Sequence, residues 1–95
     1  MNSEPERRRV RVIVRGRVQG VAFRAYTADE ARRAGVAGWV RNCADGSVEA
    51  AFEGSASAVD ALLAFVHRGP RSARVDRVEA FDEPLGGDRR FEIRR

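Results

Sequence analysis

Apolar and polar residues alternate from Arg9 to Arg15, with Val10, Val12 and Val14 at one parity and Arg9, Arg11 and Arg15 at the other. A period of two over that length predicts a half-buried strand. GRVQGV, residues 16–21, breaks the alternation with two glycines and reads as a loop. Residues 22–34 turn helical, with Phe23, Tyr26, Ala31 and Ala34 as inner positions and Gly35 placed to cap the C-terminus. VAGWVRN (36–42) and SVEAAFE (47–53) predict a second and a third strand, joined by Cys43-Ala44-Asp45-Gly46, whose Asp-Gly is a strong hairpin signal. Val59, Leu62, Leu63 and Val66 then recur at helical spacing. They predict a second helix from Ser57 to about His67, with Ser57 and Asp60 resembling a capping box and Gly69-Pro70 as its stop. Residues 74–81 form a fourth strand of imperfect alternation, and RFEIR (90–94) a short fifth after the Pro84 and Gly86-Gly87 loop.

The order β-α-β-β-α-β with one extra strand predicts an α+β fold. Two helices packed on one face of a mostly antiparallel sheet, a ferredoxin-like βαββαβ sandwich with a short C-terminal strand, satisfy it. A polar stretch at 1–7 containing Pro5 is expected to be a flexible tail, and 8–95 a single domain. The pattern shows no exposed apolar face, so a monomer is expected.

Composition narrows the chemistry. All 18 basic residues are arginine, which removes lysine-based Schiff-base catalysis and the P-loop lysine. One cysteine, Cys43, allows no internal disulfide, and one cysteine with one histidine builds no Cys/His zinc site. No apolar run reaches the ~20 residues of a membrane helix, and the arginine-rich start lacks a secretory apolar core. A cytoplasmic protein with no membrane association is the expectation. The net charge of +4 with 14 interspersed acids is weak evidence for a polyanion partner.

Candidate chemistry concentrates at VRGRVQGVAFRAY, residues 14–26, where a strand gives way to a glycine-containing loop and a helix with Arg24 in its first turn. Backbone N–H groups of such a loop and of the helix N-terminus converge on one anion-sized point. A cation at that end of a helix is unfavourable by ~0.3–1 kcal/mol, so Arg24 there suggests that something negative shares the site. An ordinary strand–helix turn with a solvated arginine fits the same residues. In the second segment, GWVRNCADGSVEA (38–50), Asn42 ends a strand beside the hairpin. Its carboxamide either caps the turn or offers a donor and an acceptor to a ligand. Trp39 reads as core.

GRVQGVAFR at 16–24, followed by GWVRNCADGSVEA at 38–50, resembles the two signature stretches of the acylphosphatase family, and the similarity runs from about Arg8 to the closing FEIRR. The resemblance implies the ferredoxin-like fold and hydrolysis of acyl phosphates to a carboxylate and inorganic phosphate, without metal or cofactor. By position it makes Arg24 the arginine that holds the phosphoryl group and Asn42 the residue that orients the attacking water. It makes Gly16, Arg17, Val18, Gln19, Gly20 and Val21 the backbone N–H cradle. Ala22 and Cys43-Ala44 depart from commoner family residues without touching Arg24 or Asn42.

The two motifs contain no histidine and only Asp45 and Glu49 as acids, neither an evident base. Acyl phosphate chemistry tolerates that omission, because the carboxylate leaving group, with a pKa near ~4, departs unprotonated. His67 reads as a helix C-terminal group, Tyr26 as packing with a secondary role near substrate, and Cys43 as an oxidisable neighbour of the site. Two other functions remain open. A nucleic-acid-binding module on this topology would need aromatic residues on the central strands, and Phe52 alone, at the parity of Val48 and Ala50, does not supply them. A non-catalytic acyl-phosphate or phosphate-binding domain acting with a partner protein is the alternative, against which a 95-residue chain favours a stand-alone enzyme.

Overall fold

A computed structural model of the chain describes residues 6–95. The elements are β1 (Arg7–Arg17), α1 (Phe23–Ala34), β2 (Ala37–Asn42), β3 (Val48–Ser55), α2 (Ala56–Arg68), β4 (Arg74–Glu83) and β5 (Phe91–Arg94). The expected tail lies outside the described residues for 1–5, and β1 is under way at Arg7. Five strands form one sheet in the order β4-β1-β3-β2-β5. β1 runs antiparallel to β3 and β4, and β2 antiparallel to β3, whereas β5 lies parallel to β2. This is the expected ferredoxin-like sandwich with the extra strand added at an edge.

Strand parity decides what each face carries. Val10, Val12 and Val14 oppose Phe52, Ala50 and Val48 across β1 and β3, and all six are buried beneath the helices. Val59, Leu62, Phe65 and Val66 of α2 and Phe23, Ala28 and Ala31 of α1 close that core, with the Phe23 and Phe65 rings 6.4 Å apart between the helices. Phe91 stacks on Phe52 at 5.9 Å, and this buried ring docks the short β5 against β2.

The other face is a lattice of ion pairs. Arg9 reaches Glu53, Glu83 and Asp88, Arg11 reaches Glu49 and Glu83, and Arg15 reaches Glu79 and Asp45. Trp39 belongs to this face and not to the core as expected. Its neighbour Val40 takes the inward parity, which leaves the indole half-buried between the guanidiniums of Arg94 at 5.0 Å and Arg41 at 5.9 Å. The β4–β5 connection crosses this face, and the Gly86 and Gly87 amides donate to Glu53 at 2.8 and 2.9 Å.

Local expectations fail in three further places. Tyr26 and Ala34 are exposed, because the inward stripe of α1 runs through Phe23, Thr27, Ala28 and Ala31. Ser55, not Ser57, is the N-cap of α2, its hydroxyl accepting from the Ala58 amide at 3.2 Å. Gly16 and Arg17 stay in β1. The alternation breaks at 15–16 because of a register shift against β4, after which Gly16 faces Val75 and Arg17 faces Arg74. Gly16 sits at φ 137°, where a Cβ would strike the Arg74 carbonyl, so glycine is required by the close approach of two backbones.

Candidate active site

The first strand–helix junction is built around two left-handed residues. Gly20 has φ 75° and faces open space, and Ala22 has φ 60° and ψ 27°. Ala22 is the one non-glycine residue with positive φ among the described residues. That conformation costs about 1–2 kcal/mol for an L-residue. Ala22 is also the N-cap of α1, makes no side-chain cap, and leads into a first turn without an acidic residue. The opening N–H groups of the helix therefore have no side-chain acceptor among the described residues, and they carry the positive end of the helix dipole.

These groups open into a cavity of about 220 Å³ lined by Val18, Gly20, Ala22, Phe23, Arg24, Ala25, Asn42 and Ile93. Arg24 arrives from the first turn of α1, Asn42 from the last residue of β2, and Ile93 from β5. The chain brings Asn42 in because β2 lies beside β3 and beside β5, so its end emerges next to the α1 N-terminus. One Arg24 nitrogen donates to the Arg94 carbonyl at 2.9 Å, which tethers the guanidinium to β5, while its other N–H groups have no partner among the described residues.

The hairpin behind Asn42 is tied by several bonds. The Cys43 amide donates to the Ser47 carbonyl at 2.8 Å, and the Gly46 amide to the Cys43 carbonyl at 3.1 Å. Asp45 accepts from the Ser47 hydroxyl and amide at 2.6 and 3.0 Å, and from Arg15 at 3.0 Å. The Ser47 hydroxyl first, then the Ser47 amide and Arg15, push the Asp45 carboxyl down to about 2. Asp45 is thus a charged acceptor holding the turn and is unsuited to take a proton near neutrality.

The predicted site residues divide accordingly. Arg24, Asn42, Val18 and Gly20 share the cavity wall. Gly16 and Arg17 are held in the β1–β4 ladder, the Val21 carbonyl accepts from Ser72, and the Gln19 side chain turns to the hairpin. Tyr26 and Cys43 are not on the wall. Ala22, Phe23, Ala25 and Ile93 also line the wall and are not among the predicted site residues. Ala22 carries no signal, since alanine is an unusual choice for a left-handed position; Ile93 shares the parity of buried Phe91 yet remains 45% exposed at the sheet edge. A larger hollow of about 540 Å³ lies at the other end of β1, near Arg8, Arg9 and Leu85. Its Arg8 and Arg9 are already ion-paired to acids, Arg7 shares it with Glu6, Asp82 and Glu83, and the α2 end at Ala56 is capped by Ser55, so the smaller cavity is the better anion site.

Comparison with known proteins agrees with this placement of the fold. The acylphosphatase family profile matches residues 10–93. An acylphosphatase of Rubrobacter xylanophilus is 57% identical over 95 residues, 99% of this chain and 86% of the relative. One of Anaeromyxobacter dehalogenans is 57% identical over 90 residues, 94% of this chain and 97% of its own length. The crystal structure of acylphosphatase from Bacillus subtilis is similar with a TM-score of 0.89 at 37% identity, over 93% of this chain and 99% of that one. The chain belongs to the acylphosphatase family, hydrolases that act on acid anhydrides.

Proposed function

We propose that the chain hydrolyses the carboxyl–phosphate anhydride of acyl phosphates by in-line attack of a water at phosphorus. The observation that carries the reading is the meeting of Arg24 and Asn42, distant in sequence, on one small cavity at an uncapped helix N-terminus. Arg24 and the backbone amides of the 16–21 segment, chiefly those near Val18 and Gly20, bind the non-bridging phosphoryl oxygens. As charge redistributes in the transition state these donors hold the phosphoryl group more tightly than in the ground state. Asn42 accepts a hydrogen bond from the attacking water and fixes its line of approach.

The reaction forms a bond from the water oxygen to phosphorus and breaks the bond from phosphorus to the bridging oxygen. The carboxylate departs unprotonated, and the proton of the water passes to a phosphoryl oxygen. Phosphoryl transfer through a loose transition state rests on positioning and charge stabilisation more than on a strong base. Among the described residues the polar side chains on the cavity wall are Arg24 and Asn42, a pair suited to charge stabilisation and positioning.

Release of phosphate from benzoyl phosphate in EDTA, by wild type and Arg24→Ala, tests the reading. Chelator-resistant turnover that falls at least ~10²-fold in the variant is expected, as for loss of an oxyanion donor. Near-wild-type turnover by Arg24→Ala removes the assignment. Phosphate binding without hydrolysis by the wild type would replace it with that of a binding domain acting with a partner protein.

A further inference from the structure

The Gln19 side chain lies between the phosphoryl cradle and the hairpin that carries Asn42. Its Nε2 donates to the Cys43 carbonyl and to the Ser47 carbonyl, each at 2.8 Å. Those two carbonyls also accept the backbone bonds that close the turn, from Gly46 and Cys43 respectively. Among the hydrogen bonds of the described residues, the two from Gln19 are the ones that tie segment 18–22 to hairpin 43–47. Gln19 is flanked by Val18 and Gly20, which line the cavity, and Cys43 directly follows Asn42, which lines its other side.

We infer that Gln19 is a positioning residue that sets the distance between the phosphoryl cradle and Asn42, and so the line along which water meets phosphorus. The inference rests on the roles assigned above to Arg24 and Asn42. The chemistry of the side chain fits the task. A primary amide carries two protons on one nitrogen and here directs both at carbonyl oxygens. A glutamate would aim a carboxylate oxygen at the same carbonyls and repel them, and asparagine is one methylene short. Geometry matters more than affinity at this point, because a misplacement of about 1 Å away from the chemistry can lower a rate by ~10².

A double-variant cycle tests the inference: Gln19→Leu in the wild-type and Asn42→Ala backgrounds, assayed for turnover of benzoyl phosphate and for inhibition by inorganic phosphate. In the wild-type background kcat falls about ten-fold while phosphate inhibition changes by less than about two-fold. In the Asn42→Ala background, at enzyme concentrations that make the residual rate measurable, Gln19→Leu lowers kcat no further, because nothing remains to be positioned. Equal ten-fold losses in both backgrounds, an unchanged kcat, or weakened phosphate inhibition as the main effect would each overturn it. Gln19→Glu gives a second readout that does not depend on the leucine variant folding. Its kcat relative to wild type rises as pH falls from 7 toward 5, when the new carboxyl gains a proton to donate, and a flat ratio counts against the inference. Full activity in Asn42→Ala alone would remove the Asn42 role itself, whereas an impaired Asn42→Ala beside an unaffected Gln19→Leu removes only the staple.

Discussion

The molecule makes the same connection twice, from a strand into a helix, and finishes it differently each time. At the β3–α2 junction Ser55 ends the strand and caps the helix in ordinary extended geometry, at φ −61° and ψ 149°. Nearby, Glu53 is 2% exposed and accepts from Arg9, Gly86 and Gly87. At the β1–α1 junction the chain turns through left-handed Gly20 and Ala22, and the helix opens with no side-chain cap. α1 also carries the buried Thr27 hydroxyl, which has no hydrogen-bond partner among the described residues. One junction satisfies its polar groups from within; the other leaves its first helical N–H groups without a side-chain acceptor among the described residues. Strain and open donors in one place are the expected mark of a site shaped for binding an anion.

The sharpest way to break the comparison is Arg24→Ala, which should lower turnover by at least ~10² while leaving the thermal midpoint close to that of wild type. A large fall in the midpoint would mean that the open junction is structural after all. Next in size is Glu53→Gln. Burial pushes the Glu53 carboxyl up, but the Gly86 amide, Arg9 and the Gly87 amide more than offset this and hold it below its usual range. A carboxyl lowered on folding contributes stability that is full above its unfolded value of about 4.3 and is lost as pH falls through the lower folded value. The variant should lose about 1.5–3 kcal/mol at pH 7 and show a flatter decline in acid, measured by urea unfolding from pH 7 to 3.

Ser55→Ala should cost about 1 kcal/mol without changing kcat, a shift of several degrees in the melting midpoint for a domain of this size. Equal damage to turnover would erase the distinction between the two junctions. The smallest effect is expected from Thr27→Val, which removes an unpartnered buried hydroxyl at nearly constant volume and should raise stability by up to about 1 kcal/mol. A loss of stability there would show that the hydroxyl has a partner, such as an ordered water.

How much of this was legible differs between neighbouring residues. The valines of β1 and the leucine-valine stripe of α2 were readable, because burial on one face imposes a period that survives any detail of packing. The face of Trp39 is not legible, because β2 is short and apolar at both parities and the burial of Val40 decides which side turns inward. Ser55 is hidden as a cap because it is still a strand residue and Ser57 stands two positions on. The size of Tyr26 points inward in sequence, whereas the buried stripe of α1 passes through the smaller Thr27 and Ala28.

By itself the sequence determined the order of elements, the buried faces of β1 and α2 and the two stretches that hold Arg24 and Asn42, since each depends on local periodicity, turn chemistry or a contiguous motif. Tertiary structure alone decided that these two side chains share a cavity, that Ile93 joins them from a strand laid parallel to β2, and that Gln19 turns away to grip the hairpin. Those relations depend on which strands lie side by side and on one left-handed alanine. Neither is encoded in the spacing of residues along the chain, because contacts between distant segments are set by how the whole sheet packs and closes.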